Sequence, residues 1–125
     1  MDRRAEIMIL DDEPIVGDRL RPALEKCGYR VESYTNSREA LDRLSAKQFD
    51  VLVTDLKMKG PTGIDVLRFV KDQSPVTRVI VITGYATAEQ AKESIRSGAL
   101  DFIAKPFRIS QMVELIGRAL GEPRP

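Results

Sequence analysis

The sequence contains no histidine, one cysteine and almost no excess of either charge. Without histidine the chain lacks the commonest metal ligand, the usual general base and any phosphohistidine chemistry of its own. Cys27 has no partner for an intrachain disulfide, and its place on the apolar face of a predicted helix predicts a buried thiol rather than a reactive one. Twenty basic residues stand against nineteen acidic ones. This balance gives no electrostatic case for direct binding to nucleic acid or to an anionic membrane.

Long hydrophobic runs are also absent. The charged opening of residues 1–6 is followed by an apolar run of four residues, which is too short for a secretory signal or a membrane span. A chain of 125 residues with 42% hydrophobic and 31% charged residues fits one soluble globular domain. We therefore expect a cytoplasmic protein with a single domain over residues 1–121. Residues 122–125 would be a tail or the start of a linker.

Short apolar runs alternate with amphipathic patterns five times along the chain. The predicted strands cover residues 7–10, 30–34, 51–55, 79–83 and 101–104. The predicted helices run from Pro14 to Gly28, from Asn36 past Leu44, from Ile64 to about Gln73, from Thr87 to Gly98, and from Met112 to Leu120. Thr87 and Gln90 are expected to cap the fourth helix, with Ala88, Ala91 and Ile95 facing inward as a thin apolar stripe. This alternation implies parallel strands with right-handed crossovers. The expected fold class is α/β, a three-layer doubly wound sandwich rather than a barrel.

Polar side chains follow four of these strands at the point where each strand ends. Asp11 and Asp12 come after the first strand, Asp55 ends the third, Thr83 ends the fourth, and Lys105 follows the fifth. In an open parallel sheet the carboxyl ends of the strands face the ligand crevice. We therefore expect acids, a hydroxyl and an amine to meet at one edge.

These residue types favour a metal-assisted phosphoryl site. Three close carboxylates repel one another unless a cation is present, and an all-oxygen set without histidine or thiolate favours Mg²⁺ or Mn²⁺. Lys105 and Thr83 could bind phosphoryl oxygens. Asp55, at the centre, is the candidate nucleophile, since a carboxylate can attack phosphorus to give an aspartyl phosphate.

The ordered set Asp11-Asp12, Asp55, Thr83 and Lys105-Pro106 resembles the receiver domain of two-component response regulators. The resemblance covers nearly the whole chain, from about Ile7 to Leu120. It implies a flavodoxin-like fold with parallel strand order 2-1-3-4-5. It also implies a phosphoacceptor that takes a phosphoryl group from a histidine kinase or histidine phosphotransfer protein onto Asp55. Such a domain is a signalling element that assists its own Mg²⁺-dependent chemistry, not a conventional enzyme.

The same resemblance implies roles for individual residues. Mg²⁺ would be held by Asp12, Asp55 and the backbone carbonyl of Lys57, with Asp11 acting through water. Thr83 and Lys105 match the positions that hold the phosphoryl group. Phe102 falls on the position of the switch aromatic by its spacing from Lys105. We further hypothesise that Tyr85, two residues after Thr83, screens the acyl phosphate from attacking water. The Lys105-Pro106 peptide is expected to be cis, and the face made by the fourth helix, fifth strand and fifth helix is expected to serve dimerisation or partner docking.

The loop after Asp55 departs from the receiver pattern. Receivers commonly have Met-Pro-x-Met-Asp-Gly there, whereas this chain has Met58-Lys59-Gly60-Pro61-Thr62-Gly63. The displaced proline leaves the path of the loop and the position of the Lys57 carbonyl open. Residues 79–85 and 98–103 look most like receivers attached to ATPase-type transcriptional activators.

Two other function classes remain as alternatives. A receiver fold that has lost phosphorylation would serve only as a protein-binding module, and Mg²⁺-dependent phosphorylation discriminates the two. A small-molecule enzyme would need other motifs. An aspartate-nucleophile phosphatase would have Asp-x-Asp after the first strand, where this chain has Asp11-Asp12-Glu13, and a flavin binder would have a hydroxyl-rich loop.

Overall fold

The computed structural model describes residues 4–84 and 88–121. The strands are β1 (Glu6–Leu10), β2 (Arg30–Tyr34), β3 (Val51–Asp55), β4 (Arg78–Thr83) and β5 (Asp101–Ala104). The helices are α1 (Pro14–Lys26), α2 (Ser37–Ala46), α3 (Gly63–Gln73), α4 (Ala88–Arg96) and α5 (Ile109–Ala119). All ten predicted elements are present, with ends that differ from the predicted ones by a few residues at most.

The five strands form one parallel sheet in the order β2-β1-β3-β4-β5, which confirms the predicted fold class. β3 is the central strand, and all five of its residues are buried. Its β-branched residues suit a pleated surface covered on both sides. Asp55 at its end is thereby fixed between β1 and β4, at the point where the strand order reverses.

Helices cover both faces of the sheet and make it the middle layer. On one face, Leu20 and Leu24 of α1 and Met112 and Ile116 of α5 pack against the sheet. On the other face, residues of α2 and α3 join a second buried cluster that includes Leu52. Complete burial of these side chains on two faces is the main source of stability in a domain of this size.

The helix ends follow from local side-chain chemistry. The Asn36 side chain accepts hydrogen bonds from the backbone N–H groups of Arg38 and Glu39, and so begins α2 as predicted. Thr62 and Asp65 form a reciprocal capping box at the start of α3. Gly98 ends α4 with a φ of 110°, a left-handed conformation that glycine adopts without steric cost.

Two predictions about buried side chains are wrong. Cys27 is exposed, because α1 ends at Lys26 and the cysteine is the C-cap residue rather than part of the buried face. Ile95, predicted to face inward, is 44% exposed, while Ser94 beside it is fully buried. A small hydroxyl side chain therefore occupies the buried position and a large apolar one the exposed position, so hydrophobicity alone assigns the wrong face.

Several predictions lie outside the described residues. They concern Tyr85 as a shield, Thr87 as the cap of α4, and the tail of residues 122–125. The side chains of Ala88 and Ala91, which were expected to form the apolar stripe of α4, are also outside the description. Among the helices of the described ranges, none has the length and apolar character needed to cross a membrane.

Candidate functional site

The polar strand ends meet in a cleft at the carboxyl edge of the sheet. Its volume is about 310 Å³. It is lined by Asp12, Glu13, Asp55, Leu56, Lys57, Thr83, Gly84, Gln90 and Lys105. Asp11 lies beneath this surface, with only 2% of its area exposed. The structure therefore brings together the acids, the hydroxyl and the amine that the sequence places at four strand ends.

Three carboxylates in this cleft could hold a metal ion. Each of Asp11, Asp12 and Asp55 offers an oxygen, and these oxygens all lie within 4.8 Å of one another. Asp11 and Asp55 are buried while Asp12 is exposed. Asp11 Oδ2 is buried and makes no hydrogen bond of acceptable geometry with the described residues. A buried acceptor of this kind, beside two other carboxylates, fits a hard cation with oxygen ligands.

Lys105 supplies the positive charge of the site. Its Nζ lies 2.9 Å from Asp11 Oδ2, 3.2 Å from Asp55 Oδ2 and 2.7 Å from Glu13 Oε1. Burial alone would lower the pKa of Lys105, but its contacts with Glu13 and Asp11 and the charge of Asp55 raise that pKa above its usual value. These contacts therefore favour the charged form of the ammonium. The Lys105-Pro106 peptide is cis, as predicted.

Burial dominates the ionisation of Asp11. It raises the pKa of the carboxyl above its usual value, and the nearby charge of Asp55 acts in the same direction. The contact with Lys105 and the backbone N–H of Glu13, which donates to Asp11 Oδ1 over 2.9 Å, oppose this rise. A cation at the three carboxylates would favour the charged form of Asp11 in the same way as Lys105 does.

The loop after β3 is tied to Asp55 through its backbone. The N–H of Lys57 donates to Asp55 Oδ1 over 3.2 Å, and the N–H of Gly63 donates to the carbonyl of Leu56 over 2.9 Å. A Cβ atom on Gly63 would lie only 2.1 Å from the carbonyl oxygen of Asp55. The start of α3 therefore rests directly on the end of β3, and only glycine fits there. Met58, which is 9% exposed, anchors the loop in the core despite the displaced proline.

Thr83 and Phe102 lie on the neighbouring strands β4 and β5. The carbonyl of Thr83 accepts a hydrogen bond of 2.8 Å from the backbone N–H of Lys105, and this bond fixes Thr83 relative to Lys105. Thr83 is 3% exposed and lines the cleft. Phe102 is 38% exposed. Phe102 is thus partly exposed in this structure rather than buried in the core.

Glu13 and Gln90 line the cleft although the sequence did not predict either as a site residue, and Gln90 was expected only to cap α4. Glu13 pairs with Lys105, and this contact lowers the pKa of the Glu13 carboxyl. Gln90 lines the cleft from α4. Glu13 could have been found from its place as the third acid after β1. Nothing in the sequence around Gln90 distinguishes it from a solvent-facing helix residue.

Comparisons with known proteins agree with this geometry. The family model described as the response regulator receiver domain matches residues 7–117. The response regulator protein PilR of Pseudomonas aeruginosa is 31% identical over 117 residues, which are 94% of this chain and 26% of PilR. The DNA-binding transcriptional regulator NtrC of Escherichia coli is 31% identical over 118 residues, which are 94% of this chain and 25% of NtrC. The chain thus spans about a quarter of the length of these curated relatives.

A solved structure gives the same result for the fold. The solution structure of the beryllofluoride-activated NtrC4 receiver domain dimer matches with a TM-score of 0.88 and 32% identity, covering 93% of this chain and 96% of that one. Together with the name of the E. coli relative, this agrees with the expected likeness to receivers of transcriptional activators.

Proposed function

The chain belongs to the response regulator receiver domain family, and from that premise we propose that it accepts a phosphoryl group on Asp55 and transmits its presence to a partner or output domain. The observation that carries the proposal is the meeting of Asp55, two further aspartates, Thr83 and Lys105 at one cleft. The phosphoryl donor would be a histidine kinase or a histidine phosphotransfer protein.

Asp55 is the nucleophile in this proposal. A carboxylate oxygen attacks the phosphorus of the donor, the bond from phosphorus to the donor breaks, and the electron pair of that bond leaves with the donor. With acetyl phosphate as the donor, acetate leaves and an aspartyl phosphate remains, so charge and atoms balance without a proton transfer. Asp55 is buried, and its Oδ2 lies 3.2 Å from Nζ of Lys105, whose positive charge would attract the oxygens of the incoming phosphoryl group.

The remaining charged residues would hold the metal and the phosphoryl group. Asp12, Asp55 and the backbone carbonyl of Lys57 would hold Mg²⁺, or Mn²⁺, with Asp11 acting through water. The ion would neutralise the negative charge that collects when a phosphoryl group approaches three carboxylates. Lys105 would bind a phosphoryl oxygen with its ammonium, and Thr83 would bind another with its hydroxyl.

The readout would run from Thr83 to Phe102. A phosphoryl group on Asp55 offers the Thr83 hydroxyl a new acceptor, and the movement of that hydroxyl frees space for Phe102 to rotate inward from its exposed position. The surface of α4, β5 and α5 would change as a result. Ile95, Leu100 and Phe102 leave exposed apolar area there, which supports a role for this face in homodimerisation or partner docking.

The biological setting follows from the family. We place residues 1–121 in the receiver domain and residues 122–125 in a tail or linker, and we assign the domain to the cytoplasm, where histidine kinases act. Any contact with DNA would belong to another domain, since this chain carries a net charge of +1.

The direct test is phosphorylation without a kinase. The domain is incubated with acetyl phosphate and Mg²⁺ and weighed intact. The expected result is the gain of one phosphoryl group that is stable to acid and labile to base, with no gain in an Asp55→Asn variant. Failure of the folded parent protein to gain this group from acetyl phosphate or from any histidine kinase would favour the alternative, a receiver-like protein-binding module without phosphorylation.

A further inference from the structure

Glu13 is a helix-start residue that does not stabilise its helix in the usual way. It occupies the N-cap position of α1, yet its side chain makes no capping hydrogen bond within the described part of the chain. Short polar side chains are preferred at this position because they reach the free backbone N–H groups of the first turn. Glutamate is a poor choice for that purpose. Its side chain instead reaches across the cleft to Lys105.

The contact with Glu13 is the shortest that Lys105 makes. Nζ lies 2.7 Å from Glu13 Oε1, compared with 2.9 Å from Asp11 Oδ2 and 3.2 Å from Asp55 Oδ2. An ammonium has three N–H donors, and Nζ of Lys105 donates hydrogen bonds to Glu13 and Asp55 and forms an ion pair with Asp11. A phosphoryl oxygen that arrives at Asp55 therefore competes with existing partners for this ammonium.

The three partners differ in how readily they can give way. Asp11 and Asp55 are fixed by burial, whereas the Glu13 side chain is 61% exposed at the mouth of the cleft. A solvated carboxylate is the partner that an ammonium releases at the lowest cost, since water replaces the lost contact. The Glu13 contact is also the most exposed of the three.

We propose that Glu13 is a positioning residue that holds Lys105 in the resting domain and competes with the incoming phosphoryl group for its ammonium. This inference rests on the proposed phosphorylation of Asp55, and it adds a residue that slows the reaction rather than one that promotes it. Loss of the Glu13 contact leaves Lys105 with a free donor directed at the phosphoryl oxygen.

Two variants distinguish the effect of the contact between Glu13 and Lys105 from the effect of the negative charge of Glu13. Glu13→Gln removes the negative charge and the ion pair. Glu13→Asp keeps the charge but shortens the side chain by one methylene, and aspartate at an N-cap position is drawn toward the helix N–H groups. If the hold on Lys105 limits the reaction, both variants accept phosphate from acetyl phosphate about threefold faster or more at saturating Mg²⁺. If Glu13 acts only by repelling anionic donors, Glu13→Gln is faster and Glu13→Asp keeps the parent rate, which overturns the proposal.

A second measurement tests the hold on Lys105 without phosphorylation or metal. Lysine side chains are labelled with an amine-reactive reagent, and the rate at Lys105 is compared with that at the exposed Lys26 in the same sample. Both variants are expected to raise the ratio of Lys105 to Lys26 labelling severalfold, without a lower melting temperature. An unchanged ratio would overturn the proposal even if Asp55 is phosphorylated normally. A raised ratio in a protein that never gains phosphate would refute the proposed function and leave the hold of Glu13 on Lys105 intact.

Discussion

Charge is unevenly distributed among the residues of the cleft. Asp11, Glu13 and Asp55 contact the ammonium of Lys105, and Asp12 lies beside Asp11 and Asp55. Such a group of carboxylates is stable as a set of anions only if further positive charge can be drawn in. A divalent cation meets that need and would also offset the charge of a phosphoryl group. Each acid therefore contributes differently to metal binding, according to its burial.

Asp12 is the exposed member of the three-carboxylate cluster, and it can be removed without leaving a cavity. We expect Asp12→Ala to weaken Mg²⁺ binding about tenfold or more, because the ion loses a direct ligand. Isothermal or fluorescence titration measures the change. The matched control is Asp72→Ala on the outer surface of α3, which also removes one exposed carboxylate and should leave the affinity unchanged. Equal Mg²⁺ affinity in Asp12→Ala and the parent would remove Asp12 from the site.

The sequence predicts the residues of the site better than their contacts. Asp11, Asp55, Thr83 and Lys105 could be placed because strand ends in a parallel sheet share an edge, whatever the side-chain rotamers. The ion pair of Glu13 with Lys105 joins residues 92 positions apart, and no local pattern specifies it. Cys27 and Ile95 were placed wrongly for a related reason. The exposure of Cys27 depends on where α1 ends, and that of Ile95 on which face of α4 is buried. Hydrophobicity alone sets neither.

Among the elements, α3 has the closest contact with the site. Its first residue, Gly63, lies against the carbonyl of Asp55, where an added Cβ would come within 2.1 Å. We expect Gly63→Ala to destabilise the domain by roughly 1–3 kcal/mol, because the helix start must shift away from β3. Urea unfolding measures the loss.

The control for this variant is Gly84→Ala, since a Cβ there meets no atom within 4 Å. Its stability should stay close to that of the parent. If Gly63→Ala were equally stable, the close contact between α3 and β3 would not be a constraint on the fold.

A network of charged side chains joins β2 to α2. Glu32 accepts two hydrogen bonds from Arg43, of 2.8 and 3.0 Å, and one of 3.1 Å from Lys47. These contacts, led by that with Arg43, lower the pKa of Glu32 from 4.5 to about 2. A carboxyl whose pKa is lower in the folded state than in the unfolded state stabilises the folded state at pH values above its unfolded-state pKa. This contribution is lost as the pH falls through the folded-state pKa.

We therefore expect Glu32→Gln to reduce the free energy of unfolding by about 1 kcal/mol at neutral pH. The difference from the parent should shrink as pH falls from about 4.5 toward 2. Urea unfolding across this pH range measures it. Glu25→Gln, which removes an exposed pair with Arg21 at 3.4 Å, should cost clearly less. A difference in the free energy of unfolding that stays constant down to pH 2 would show that the charge of Glu32 does not cause the loss of stability.

At the scale of the whole molecule, the sheet connects the site to a distant face. Thr83 at the end of β4 pairs with Ala104 on β5, two residues beyond Phe102. Phe102 has no hydroxyl, so its outward and inward positions differ by packing alone. We therefore expect the two states to be separated by only a few kcal/mol and both to be sampled before phosphorylation.

Chemical-shift mapping with beryllofluoride and Mg²⁺ tests this connection. Shifts are expected around Asp55 and also at Phe102 and along residues 87–97, because the ring and α4 change position together. Thr83→Ala should keep the changes near Asp55 and lose those at Phe102. Changes confined to the neighbourhood of Asp55 in the parent would mean that phosphorylation is not transmitted along this route.

We propose that Asp55 alone carries the phosphoryl group, although three other acids lie beside it. Borohydride reduction of the phosphorylated domain converts an aspartyl phosphate into homoserine, which tandem mass spectrometry can locate in the peptide that contains β3. We predict homoserine at position 55 alone, since Asp55 combines a central, buried position with the contact to Lys105. Homoserine at position 11 or 12, or a reduced glutamate at position 13, would contradict the proposal that Asp55 is the sole phosphoryl acceptor.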